Sequence, residues 1–105
     1  MDLSSHRAWL TDEAGHVTYG PVAARGGESS GPTPVGTFPV LSKARHFYST
    51  EFDAPMPYSV FFYPGDAFHA DNTAAASNGC IHLSSTSAQR LFTTLQPGDQ
   101  VQTVN

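Results

Sequence analysis

The residues with the most chemical potential sit in one short segment, Ser77-Asn78-Gly79-Cys80-Ile81-His82-Leu83. Cys80 is the only cysteine in the chain, which excludes an intrachain disulfide framework, a cysteine-rich zinc site and an iron–sulfur cluster built on this chain alone. It is either a small core filler or a reactive thiol. A thiol nucleophile needs a base, because a free pKa of about 8.5 leaves only a few per cent thiolate at neutral pH. Two histidines are candidates: His69, in Ala67-Phe68-His69-Ala70-Asp71, and His82, just past the cysteine. Along a strand, positions 80 and 82 share a face, so His82 either reaches the thiol or flanks it. Gly79 lets the backbone turn sharply and leaves the Gly79 and Cys80 amides to face a bound carbonyl oxygen. Together these are the parts of a cysteine/histidine acyl-transfer site. His6, His16 and His46 fall in hairpin or loop contexts and read as surface residues.

The elements that must position this segment are mostly strands. Short apolar runs rich in aromatic and β-branched residues alternate with Ser, Thr, Gly and Pro, the texture of a β-rich domain. His6 to Leu10 and Val17 to Ala24, joined by the Thr11–Gly15 turn, predict a hairpin. Residues 25–37 hold four Gly and two Pro and predict a loop, with Thr33 and Pro34 shaping a turn. Phe38–Leu41, Phe47–Thr50 and Tyr58–Tyr63 predict further strands, and Gln100–Val104 a closing one. Asp66 falls in a turn after the aromatic strand, which would present His69 at the end of a sheet. From Thr86, Ala88, Leu91, Phe92 and Leu95 recur at helical spacing. Thr86-Ser87-Ala88-Gln89 resembles a capping box and Pro97-Gly98 a stop, so one helix is expected over about 86–96.

At 105 residues, with 39% hydrophobic residues, the chain fits a single domain spanning 1–105. The formal charge of −4 argues against nucleic acid or anionic lipid as partner, and no apolar run approaches a membrane span. No secretory signal pattern opens the sequence, as expected of a cytosolic protein or of a domain excised from a longer, exported chain.

Taken in order, Pro32-Thr33-Pro34-Val35-Gly36-Thr37-Phe38, Met56-Pro57-Tyr58, Phe68-His69, Ser77-Asn78-Gly79-Cys80-Ile81-His82-Leu83 and Gly98-Asp99-Gln100-Val101 resemble the L,D-transpeptidase catalytic domain, the YkuD-like family. The resemblance covers nearly the whole chain. It departs at two positions: Asn78 stands where the family has His before Gly-Cys, and His82 where it commonly has Arg. A neutral imidazole does not replace an Arg fork on a carboxylate.

The resemblance implies a mainly β, sandwich-like domain with one short helix. It implies Cys80 as nucleophile, His69 as base and Gly79 in the oxyanion turn, with Tyr58, Ser77, Asn78 and His82 toward the substrate. Ser77 would hydrogen-bond within the loop or help orient His69. Arg25 and Arg90 could meet a substrate carboxylate or lie on a solvated surface. The implied reaction cleaves the third-residue to D-Ala bond of a peptidoglycan tetrapeptide stem through a thioester and forms 3-3 cross-links, with no metal or organic cofactor. Resolution by water would make it an L,D-carboxypeptidase. The alternatives are a secreted antibacterial effector of the same fold, with an immunity protein as partner, and a non-catalytic peptidoglycan-binding module. Carbapenem-type lactams would be inhibitors, and the location extracytoplasmic, in periplasm or cell wall.

Overall fold

The computed structural model describes residues 1–105. Its elements are β1 (Arg7–Thr11), β2 (Val17–Arg25), β3 (Gly36–Pro39), β4 (Ser42–Ser49), β5 (Ala54–Tyr63), β6 (Asp66–Ala70), β7 (Ile81–Leu83), α1 (Ser85–Thr94) and β8 (Gln100–Thr103). Six strands form one sheet in the order β1-β2-β7-β6-β5-β4, and β3 pairs with β8 in a separate ribbon. The expected mainly β, sandwich-like domain is therefore found. Its second layer is shared between the β3–β8 ribbon and α1, which cover one face of the large sheet.

Local chemistry explains most of the boundaries. The first hairpin turns where predicted, because Asp12 Oδ1 accepts the Ala14 and His16 N–H groups while Gly15 takes φ +84°. The helix begins earlier than the Thr86 box suggested. Ser84, extended at φ −60° and ψ 157°, is the true N-cap, and its Oγ accepts from Ser87 N at 3.2 Å. At the other end Leu95 N–H returns to Leu91 O, and Pro97 bars a further turn. Three strand limits also differ from expectation. The β4–β5 ladder draws the polar run Lys43–His46 into β4 and starts β5 at Ala54, and pairing with β8 shifts β3 forward to Gly36. Asp66, expected in a turn, opens β6.

One cluster of thirteen buried residues joins the layers. It takes Phe68 from β6, Ile81 and Leu83 from β7, Val60 and Phe62 from β5, and Ala88 and Leu91 from α1. Fully burying each of the large side chains contributes about 1.5–3 kcal/mol.

Two features of this scaffold place chemistry on the opposite face. In β6 and β7, Phe68, Ile81 and Leu83 point into the core, so His69 and His82 point the other way and sit side by side in register. The β6–β7 pair is parallel, so the chain must return to its starting end between them. It does so without a helix, and residues 71–80 run back across the histidine face. In β5, Tyr58 adopts φ +57°. That left-handed residue breaks the alternation: Met56 and Phe61 pack together on the histidine side, although five positions apart, while Tyr58, Val60 and Phe62 face the main core.

Candidate active site

A cavity of about 200 Å³ opens on that face, lined by His69 and His82 from the sheet, Asp71, Ala76, Ser77, Asn78 and Cys80 from the crossing segment, and Phe52 to Met56 without Asp53 on the far wall. Five of the seven residues proposed from sequence meet here: Cys80, His69, Ser77, Asn78 and His82. Gly79 lies beside them and shapes the turn. Tyr58 does not line this cavity; its left-handed backbone turns the ring toward α1, where it stacks edge-on against Phe92 with centroids 5.8 Å apart and lies under Arg45. Arg25 pairs with Glu28 at 2.8 Å, and Arg90 lies over the Tyr19 ring, so neither reaches the cavity.

The Cys80 turn is fastened from several directions. Ser77 Oγ donates to Cys80 O and accepts from Gly79 N at 3.0 Å, so Ser77 bonds within the loop and not to His69. The Gly79 amide is therefore engaged, contrary to the sequence expectation that it stands free. The Cys80 amide makes no hydrogen bond within the chain. Thr33 secures the turn from the other side. Its buried hydroxyl donates to Gly79 O at 2.8 Å and accepts from Gly27 N at 2.9 Å. Gly79 takes φ +126°, and a Cβ there would collide with the Asp66 carboxylate. Gly31 packs so closely that a Cβ would lie 2.9 Å from Asn78 Cα. The predicted glycine-rich loop is thus the mould of the cysteine turn. Thr33 carried no signal beyond its place between two prolines, because its partner lies 46 residues away.

Burial sets the electrostatics. Cys80 is 7% exposed, and desolvation foremost, helped by the charges of Asp66, Asp71 and Glu51, pushes its thiol up to about 11. Its Sγ lies 3.7 Å from Gly65 O, within reach of a weak S–H donation. Burial lowers the pKa of His69, against a smaller opposing pull from Ala70 O. Burial also raises that of Asp66. At neutral pH the pair is therefore thiol and neutral imidazole. The His69 Nδ1 lies 3.2 Å from Ala70 O, which fixes Nδ1 as the protonated nitrogen and leaves Nε2 with its lone pair. This arrangement suits a base that takes the thiol proton during attack. His69, Asp71 and His82 also bring their ligand atoms within 4.8 Å of one another, a grouping that could hold a metal ion. Asp71 was legible from sequence only as the residue that closes the short segment around His69.

The geometry and the sequence agree on a class. Over residues 1–103 the sequence matches the YkuD family, the L,D-transpeptidase catalytic domain, and the chain belongs to that family. An L,D-transpeptidase from Stackebrandtia nassauensis has the same fold, with TM-score 0.92 and 24% identity over 99% of this chain and 53% of that one. An L,D-transpeptidase from Mycobacterium tuberculosis H37Rv aligns with TM-score 0.88 and 25% identity over 99% of this chain and 55% of its own. A further L,D-transpeptidase, in complex with imipenem, aligns with TM-score 0.87 and 26% identity, covering 98% of this chain and 56% of that one. The chain thus spans about half the length of the solved structures it matches. No curated protein matches its sequence. No helix is long and apolar enough to cross a membrane.

Proposed function

We propose that this domain is a peptidoglycan L,D-transpeptidase working through a Cys80 thioester, in an extracytoplasmic setting. One observation carries the reading: the only cysteine and a buried histidine with a free Nε2 line the same cavity, beside a backbone amide that has no partner. Family membership supports it.

In the proposed cycle the carbonyl between the third residue and terminal D-Ala of a tetrapeptide stem enters the cavity. The Cys80 Sγ–H proton passes to His69 Nε2 as sulfur attacks the carbonyl carbon, and the Cys80 N–H holds the oxygen as it becomes negative. A single donor of this kind contributes about 2.7–4 kcal/mol to lowering the barrier. The C–N bond breaks, D-Ala leaves with the proton from imidazolium, and a thioester remains. A side-chain amine of a second stem then attacks the thioester and gives its proton to His69, forming a cross-link between two third residues. His69 returns that proton to the departing Sγ. With water as acceptor the product is a tripeptide. Ser77 and Thr33 hold the turn, while Asn78 and His82 line the donor site. The same thiol would open a carbapenem ring, in keeping with the imipenem complex of a relative.

The test is incubation with a disaccharide tetrapeptide and mass spectrometry of the products. Cross-linked dimers are expected. Tripeptides alone would reassign the enzyme as an L,D-carboxypeptidase, and unchanged substrate with a reduced, accessible thiol would leave a binding module.

A further inference from the structure

His82 stands where the family resemblance calls for Arg, and its surroundings are those of a metal ligand. Its Nδ1 lies 3.0 Å from both Asn72 O and Ala75 O, so Nδ1 carries the proton and Nε2 keeps its lone pair. That Nε2 faces Asp71 Oδ2 across 3.6 Å. Two lone pairs oppose each other over a gap longer than the roughly 2.7–2.9 Å of a charge-assisted hydrogen bond. The third member is His69, whose Nδ1 is likewise turned to a carbonyl, Ala70 O at 3.2 Å, and whose Nε2 has no partner in the chain. Both histidines are buried, at 4% and 9% exposure, and their rings meet edge to face at 5.1 Å.

Metal-binding histidines commonly donate their second ring nitrogen to a backbone carbonyl, which fixes the tautomer and aims the ligand nitrogen. Here both do so before any ion is considered. In a tetrahedral zinc site with bonds of about 2.0–2.1 Å, neighbouring donor atoms stand roughly 3.3 Å apart. The His82–Asp71 gap of 3.6 Å is close to that spacing, and all three donor atoms lie within 4.8 Å of one another. Asp71 keeps a half-exposed side chain at the start of the crossing segment, so it can move inward and gives the ion a way in. Two imidazoles and one carboxylate favour zinc over magnesium or calcium, which prefer all-oxygen sites.

We infer that His69, Asp71 and His82 form a zinc-binding site whose occupancy silences Cys80. The ion bonds to the His69 Nε2 lone pair, which is the group that must accept the thiol proton. This step rests on the catalytic reading above, whereas the binding step does not. Zinc here is an inhibitor and not a cofactor.

The experiment reads binding and acylation separately. Calorimetric titration of the intact protein with Zn²⁺ should give one ion per chain, and Co²⁺ should give a visible tetrahedral band without a strong thiolate charge-transfer band. His82→Gln should weaken binding by about 100-fold, the upper end of what losing even an outer-shell partner costs. Asp71→Asn, at an exposed position where folding is not at stake, should weaken it by about tenfold, and Cys80→Ser should leave it intact. No uptake by the wild type, or loss in Cys80→Ser with retention in both other variants, overturns the site. In intact-protein mass spectrometry, saturating Zn²⁺ should slow the imipenem adduct at Cys80 at least tenfold and EDTA should restore it. Equal rates with and without zinc overturn the silencing. An adduct without any zinc uptake removes this inference and leaves the catalytic reading. Zinc uptake by a protein whose Cys80 never acylates supports the metal site and removes the catalytic reading.

Discussion

On one face of β6 and β7, Phe68, Ile81 and Leu83 are sealed into the thirteen-residue core. On the other face of the same two strands, His69 and His82, with Cys80 just before β7, meet a cavity, and the apolar packing shrinks to Met56, Ala67 and Cys80 with Phe61 at its edge. The first face is held by burial, which is non-directional and tolerant of detail. The second is held by hydrogen bonds and close backbone contacts: Thr33 on Gly79, Ser77 on Cys80 and Gly79, and Gly31 against Asn78. The difference teaches a division of labour. Stability should respond to changes on one face, and reactivity to changes on the other.

The largest expected effect is also the sharpest test. Cys80→Ala should reduce stem acylation by at least about 10⁴-fold, read as product by mass spectrometry, while the melting temperature stays near that of the wild type. A large stability loss with activity intact would make Cys80 a core residue. Next, His69→Ala should slow acylation by about 10²–10⁴-fold and recover partly at alkaline pH, where thiolate forms unaided. In the wild type the reactive imidazole must be neutral, and burial lowers its pKa. The acid limb of the rate profile should therefore fall below the usual imidazole range of about 6.5. If His82→Ala shows this behaviour and His69→Ala does not, the base is His82.

The core face predicts the converse. Ile81→Ala, at a position with no exposure, should cost about 2–5 kcal/mol in denaturant unfolding, with acylation per folded molecule little changed. Thr33→Val, which keeps the shape and removes the hydroxyl, should cost less, about 1–3 kcal/mol, because Gly27 N and Gly79 O lose a buried partner. It should nonetheless slow acylation more than Ile81→Ala does. The reverse ranking would dissolve the division between the faces. The last effect is confined to alkaline solution. Folded Cys80 holds its proton to about pH 11 against about 9 when unfolded, so the thiol's contribution is intact below pH 9 and is lost as pH rises toward 11. The urea midpoint of the wild type should fall across that window more than that of Cys80→Ala.

The sequence made the core face largely legible, since alternation and helical spacing report burial. The hairpin, the aromatic strand and α1 were all marked by it. What it did not mark was set by pairing across distance. Lys43–His46 fell between two predicted strands and is itself strand because β5 lies beside it, and Asp66 looked like a turn because β6 is short and opens on a carboxylate. Within the site, Cys80, His69 and the flanking motif stood out by residue type. Thr33 and Asp71 did not, as one gains its role from a carbonyl across the fold and the other from a neighbouring strand. Tyr58 misled in the opposite sense: its place in a motif suggested the cavity, and a single left-handed φ sends it to the helix.

The strand order has a consequence in time. Hairpin β1–β2 is made first, but β2's inner neighbour is β7, which begins only at Ile81. The β4-β5-β6 meander can meanwhile pair locally. Two half-sheets thus wait with unpaired inner edges until a three-residue strand is inserted between them by Ala24↔Leu83 and Arg25↔His82 on one side and Phe68↔Ile81 to Ala70↔Leu83 on the other. Closing such distant contacts is the slow part of folding a β-rich chain. In pulsed hydrogen exchange, β5 and β6 amides should gain protection before those of β7. The insertion that joins the two inner edges also brings Cys80 and His82 to the cavity that His69 lines, so that cavity does not exist until the half-sheets are united.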